Sequence, residues 1–199
     1  MAKLYFRYGA MGASKTANAI MVAYNYKERG LNPLMLKPKI EDRDGEKIIK
    51  SRIGLEWPCE FVEEWFPENV EKKTLGDRLE NEKIDCIIID EVQFVDPGVI
   101  KILQWVVTEK SIPILCYGLR EDFTGTPFKA AAELCARGDK IEEIKTVCWC
   151  GQGATCNARI IGGKVVYSGP QIMLGANESY TALCRKHWSE GNLGPNFHE

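Results

Sequence analysis

Residues 86–94 read CIIIDEVQF. Four successive apolar residues without alternation do not suit a strand with one wet face; they mark a strand buried on both sides, as in a parallel sheet covered by helices. The run ends on Asp90 and Glu91, at the carboxyl edge where α/β sheets bind ligands. IPILCYG, 112–118, repeats the pattern. Around these two runs the chain alternates. KLYFRY (3–8) predicts a strand, Lys15 to Arg29 a helix closed by Gly30, and NPLMLK (32–37) a short strand. Helices are expected over 70–83, over Pro97 to Lys110 with Asp96 as N-cap and Pro97 in the first turn, and over Pro127 to Arg137; a strand is expected near Ile141 to Val147. This order predicts an α/β fold with a mostly parallel sheet. The charged, glycine-punctuated stretch 38–54 reads as a mobile loop.

After Val147 the texture changes to cysteines, glycines and short apolar pieces, which predicts short strands and turns. The expected organisation is a nucleotide-binding domain over 1–147, a small domain over 148–190 and a loose tail over 191–199. A chain of 199 residues has room for this. Its net charge of −2 offers no general attraction to nucleic acid or anionic lipid, so a polyanionic ligand must be met locally. No apolar run approaches a membrane span and the start MAKLYFRYGAMG lacks a signal-peptide core, so no membrane association and a cytoplasmic location are expected. There Cys59, Cys86, Cys116 and Cys135 stay thiols.

Three constellations carry chemistry. YGAMGASKT, 8–16, nearly matches the phosphate-loop pattern G-x-x-x-x-G-K-[ST], with Ser14 where the second glycine belongs. Backbone N–H groups from Gly9, Ala10, Met11, Gly12, Ala13 and Ser14 would cradle phosphates, Lys15 would reach their far end, and Thr16 would hold magnesium. If the backbone at Ser14 is left-handed, serine costs roughly 1–2 kcal/mol there. Asp90 suits magnesium, directly or through water, and Glu91 suits a base toward a substrate hydroxyl. Cys148-x-Cys150 with Cys184-x-x-His187 supplies three thiolates and an imidazole, the donor set of a closed structural zinc site; Cys156 stands alone. Each has a plainer reading: a strand-to-helix turn, a solvated acid pair, and free buried cysteines.

Taken in order, the phosphate loop with Met11 in it, DEVQF, YGLREDF, GANESY and CRKH resemble the type II thymidine kinases, the bacterial and human-cytosolic type, over the chain to about His187. The resemblance implies a RecA-like P-loop domain plus a small zinc-binding, β-rich lasso domain. It implies transfer of the γ-phosphoryl of ATP to the 5′-hydroxyl of thymidine. Glu91 would be the base, Asp90 would support magnesium, and Val92 and Gln93 lie in the same ATP-side motif. Met11, Phe94, Leu119, Phe123, Phe128 and Tyr180 would surround the nucleoside, with QIMLGANESY closing over the base. A homotetramer and inhibition by dTTP are further implications. The sequence departs from the family at Ser14, at Gly175-Ala176 where two glycines are usual, and at Glu41, two places before an Arg43 that would help neutralise phosphate charge. Two alternatives stay open on the sequence. One is a nucleoside-binding relative impaired by Ser14; the other is a P-loop ATPase with a zinc interaction module.

Overall fold

The structure is a computed structural model that describes residues 1–40, 47–171 and 179–195. β1 (Leu4–Tyr8), α1 (Lys15–Glu28) and β2 (Pro33–Lys37) are followed by β3 (Ile48–Lys50), β4 (Glu56–Pro58), β5 (Glu60–Phe61), α2 (Val62–Trp65), α3 (Lys72–Asn81) and β6 (Cys86–Ile89). A 3-10 turn at Val92–Phe94, then α4 (Pro97–Lys110), β7 (Ile114–Gly118), α5 (Lys129–Arg137) and β8 (Lys140–Glu143) complete the larger part. Beyond it lie β9 (Thr146–Val147), β10 (Gly153–Ala154), β11 (Cys156–Ile161), β12 (Lys164–Val166), β13 (Ser179–Leu183) and α6 (Arg185–Glu190).

The central sheet has the order β5-β2-β6-β7-β1-β8, and every neighbouring pair runs parallel. The CIII run explains the layering. Ile87 and Ile89 face one cluster with α3, α4 and α5 through Leu79, Leu103 and Ala131. Cys86 and Ile88 face the other with α1 through Ala19, Ile20 and Ala23. All four strand residues are fully buried, each isoleucine contributing about 1.5–3 kcal/mol. α4 starts where expected: Asp96 Oδ1 accepts from Gly98 N at 2.7 Å, with Pro97 in the first turn. Gly30 ends α1 with φ +75°.

The expected loop over 38–54 is corrected in part. Residues 41–46 fall outside the described set, but β3 pairs antiparallel with β4 from Ile48 to Lys50. Packing and a hydrogen bond hold this hairpin down: Ile49, 2% exposed, lies in the α1 cluster with Trp57 against it, and buried Lys37 donates from Nζ to Ile48 O at 2.9 Å. A single inward isoleucine among charges gives too little periodicity to announce a strand.

The smaller part contains the antiparallel sheet β12-β11-β13 and the pair β9-β10. Asn192 and Gly194 lie against it: Trp149 Nε1 donates to Asn192 O at 3.1 Å, and a methyl group built on Gly194 would strike the Trp149 ring. No helix among the described residues is long and apolar enough to cross a membrane.

Candidate active site

The loops that follow β1, β6 and β7 converge, because β7 lies between the other two and all three strands point the same way. Their carboxyl ends form the crevice in which such sheets bind ligands. Gly9 N donates to Gly118 O at 3.3 Å, tying the start of the phosphate loop to the end of β7. Any side chain at Gly9 would run into Ile144 O, so close approach rather than flexibility selects glycine here. Ala10 and Ala13 are buried, Met11 is half-buried, and Gly12 and Ser14 are exposed.

Ser14 adopts φ 56°, ψ 28°, the left-handed conformation that disfavours serine by roughly 1–2 kcal/mol. Its exposure means that strain, not packing, is the local consequence. Lys15 is 8% exposed and donates from Nζ to Gly9 O and Ala10 O, both at 3.0 Å. Burial lowers its pKa, although the charges of Glu91 and Asp90 oppose this. The ammonium thus sits folded on the loop's own carbonyls, in the position from which it can turn to a phosphate. Thr16, half-buried, follows Lys15 in the first turn of α1.

Asp90 and Glu91 differ in environment. Asp90 is 3% exposed, and its Oδ1 is buried without a hydrogen-bond partner among the described residues. Burial and the charge of Glu91 push its pKa up to about 7, against the Thr16 hydroxyl, the Glu91 N–H and Lys15, which favour the anion. A buried carboxylate with one unpartnered oxygen, next to a threonine hydroxyl, offers hard oxygen donors of the kind that fit magnesium.

Glu91 is half-buried and itself left-handed, at φ 51°, ψ 38°. Its carboxylate is held by Gln93, whose orientation is forced. The Leu119 N–H can only donate, so Gln93 Oε1 accepts it at 3.0 Å, and Nε2 donates to Glu91 Oε2 at 2.5 Å. A side chain at Gly118 would displace Gln93 Oε1, which accounts for glycine at the end of β7. Val92 and Gln93 are buried beneath, Val92 fully.

The residues expected around the nucleoside form two groups. Phe94 and Phe128 make an edge-on ring contact at 5.9 Å, and both pack with Leu119 against the large core; Phe128 is only 4% exposed. Phe123 and Tyr180 meet through Arg159, whose guanidinium carbon lies 3.7 Å from the Phe123 ring centroid while Nε donates to Tyr180 Oη at 2.7 Å. Arg43 and the lasso residues 172–178, Gly175 and Ala176 included, lie outside the described residues.

Cys148, Cys150, Cys184 and His187 bring their ligand atoms within 4.8 Å of one another. His187 Nδ1 lies 3.4 Å from both Cys148 Sγ and Cys184 Sγ. Ligand bonds of 2.0–2.3 Å in a tetrahedron put neighbouring donors about 3.5–3.8 Å apart, so the quartet fits zinc. Burial raises the Cys148 thiol, but N–H donors at Cys150 and Cys184 and the His187 ring bring it down to about 6, toward the thiolate a metal requires. The Trp149 ring stacks on His187 at 4.2 Å and fixes the imidazole.

Four polar residues that sequence reasoning missed tie the two parts together. Asn157 accepts from Met11 N at 2.8 Å and donates to Glu121 O at 3.0 Å, so the smaller sheet grips the phosphate loop. Arg159 also donates to Pro170 O and Gln171 O, and Gln171 Nε2 donates to Asp122 Oδ2 at 2.9 Å. The available signal was CNARII: an asparagine and an arginine two apart in an apolar strand share one face, and buried polar side chains require partners.

The parallel α/β sheet and the quartet of three cysteines and a histidine, compatible with a metal, are the frame of a phosphotransferase. The chain belongs to the thymidine kinase family: the sequence model of that family, described as thymidine kinase, matches residues 2–188. The thymidine kinase of Coxiella burnetii is 42% identical, over 96% of this chain and 97% of its own. Those of Shewanella oneidensis and Francisella tularensis subsp. holarctica are 41% and 40% identical, each over 96% of this chain and 98% of their own. A solved Pif1 helicase from Candida albicans aligns over 73% of this chain and 36% of its own at 10% identity, with a TM-score of 0.45, too distant to bear on the assignment.

Proposed function

We propose that this chain transfers the γ-phosphoryl group of ATP to the 5′-hydroxyl of thymidine, giving dTMP and ADP. Membership of the thymidine kinase family supports the substrates and the reaction. The observation that carries the chemistry is the clamp on Glu91, a carboxylate kept in the acceptor role by Gln93 beside the phosphate loop. Glu91 takes the 5′-hydroxyl proton as the oxygen bonds to the γ-phosphorus, and ADP leaves with the electrons of the broken P–O bond. The loop Gly9 to Thr16 and the motif Asp90 to Gln93 hold the triphosphate, with Arg43 adding positive charge. Met11, Phe94, Leu119, Phe123, Phe128 and Tyr180 bound the nucleoside.

Thr16 and Asp90 would hold magnesium, which when bound neutralises phosphate charge during transfer. Cys148, Cys150, Cys184 and His187 would hold a structural zinc, supported by their spacing and donor chemistry. The division into 1–147, 148–190 and a tail over 191–199 remains part of this reading, as do the cytoplasm, a homotetramer and feedback by dTTP; the last two rest on family alone. The impaired-relative and ATPase alternatives are not favoured, because the chain matches the thymidine kinase family along nearly its whole length and its relatives there are thymidine kinases. Incubation of the purified chain with thymidine and γ-labelled ATP tests the reading. Labelled dTMP is expected; ATP hydrolysis without labelled nucleotide would contradict it.

A further inference from the structure

Arg52 is placed at the phosphate loop by a part of the chain that reads as featureless charge. The β3–β4 hairpin is docked on α1, the helix that the phosphate loop opens, through Ile49 packed with Ala19 and Ile20, and through the Lys37 bond to Ile48 O. Its tip is tightly built: Ser51 N donates to Leu55 O at 2.8 Å, Leu55 N to Ser51 Oγ at 2.9 Å, and Gly54, with φ +85°, donates to Ser51 O at 2.9 Å. This turn aims Arg52 at the loop. A methyl group built on Gly12 would meet Arg52 Nη1 at 3.8 Å.

Arg52 is exposed and makes no hydrogen bond or ion pair among the described residues, although arginines elsewhere, such as Arg7, Arg78 and Arg137, are paired with glutamates. With Arg52 Nη1 beside Gly12 and Lys15 Nζ on the carbonyls of Gly9 and Ala10, the two cations flank the space at the phosphate loop, and the charge of Arg52 is felt at the Lys15 ammonium. In a phosphate loop that space holds the β- and γ-phosphates. A guanidinium there has five donors in a planar fork, matched to phosphate oxygens. In a chain of net charge −2, attraction for a triphosphate must come from such local placement.

We propose that Arg52 is a further catalytic residue, donating to the oxygens of the transferring phosphoryl group and stabilising the charge that develops as it leaves ADP. This rests on the kinase reading above and deepens it. The charge-stabilising arginines of phosphoryl-transfer enzymes are worth on the order of 10³–10⁵ in turnover when wholly responsible; with Lys15 also present, about 10²-fold is expected for Arg52→Gln.

The test compares the parent chain, Arg52→Gln and Arg52→Lys in three measurements: turnover at saturating ATP and thymidine, ATP affinity by calorimetry, and thymidine affinity by calorimetry without nucleotide. The proposal expects turnover of Arg52→Gln to fall about 10²-fold, with Arg52→Lys recovering part of it. ATP affinity should fall less than turnover, and thymidine affinity should stay within twofold. Turnover of Arg52→Gln within threefold of the parent, or a loss confined to ATP affinity, overturns it. A parent chain without thymidine-dependent transfer would instead overturn the kinase reading. Since Arg52 supports no other described side chain, folding of the variant is not at issue.

Discussion

The guanidinium of Arg159 lies flat enough on Phe123 to bring its carbon 3.7 Å from the ring centroid, while its nitrogens reach Tyr180 and the carbonyls of Pro170 and Gln171. At 1% exposure it is a buried cation held by an aromatic face and several acceptors. It joins residues on both sides of 172–178 to the ring of Phe123, one of the residues proposed to bound the nucleoside. Arg159→Met keeps the stem but strands these acceptors, and a loss of about 1–3 kcal/mol in unfolding free energy is expected. Steady-state kinetics should show KM for thymidine rising tenfold or more while KM for ATP moves little. Parallel increases in both constants would show general unfolding instead.

Ser14 stores strain in the phosphate loop. Replacing it with glycine removes roughly 1–2 kcal/mol of left-handed penalty, partly offset by about 0.5–1 kcal/mol of extra chain entropy. Denaturant unfolding of Ser14→Gly should therefore show a gain of about 0.5–1 kcal/mol, with turnover kept or raised. A destabilised variant would mean that the serine hydroxyl contributes a contact outweighing its backbone strain.

Asp122 gathers Thr124 N, Thr124 Oγ1, Thr126 N and Gln171 Nε2 on its two oxygens. Burial alone would raise its pKa, but these hydrogen bonds outweigh it and hold the carboxylate below its usual value. A depressed folded pKa gives stability that is fully present above the unfolded value near 3.8 and is lost as pH falls through the folded one. Urea midpoints of the parent and Asp122→Asn should thus converge between about pH 5 and pH 2. A gap that is constant with pH would remove the carboxylate charge from the explanation.

The zinc quartet predicts one zinc per chain by elemental analysis, removable by a strong chelator. Structural zinc sites carry apparent binding free energies of about 10–16 kcal/mol, so the smaller sheet should lose order on removal while the parallel sheet persists. Because Asn157 grips Met11 N, thymidine and ATP binding should both weaken. Full retention of both after complete zinc loss would show that the lobe does not support the site.

How much of this was readable in the sequence follows from which interactions are local. The CIIID run, the Asp96-Pro97 helix start and the cysteine spacings are local patterns, and the elements appear where these place them. The β3–β4 hairpin hides because its apolar anchors, Ile49 and Trp57, stand one to a strand among charged residues, and because the Lys37 bond to Ile48 O joins side chain to backbone across the chain. Asn157, Asp122 and Arg52 act across 146, 49 and some 40 positions of chain, in partnerships that no periodicity encodes. The Gln93 clamp was half visible: its place in DEVQF suggested a role at the phosphates, while its bond to Leu119 N needs β7 alongside β6.

In the proposed reaction Glu91 accepts the proton of the thymidine 5′-hydroxyl. Glu91→Gln keeps the side chain's shape and removes its basicity, and general bases of this kind contribute typically 10²–10⁴-fold. The decisive measurement is single-turnover transfer by Glu91→Gln beside thymidine and ATP affinities from calorimetry. Transfer should slow by about 10²-fold or more with both affinities within threefold of the parent. Transfer at the parent rate would contradict it.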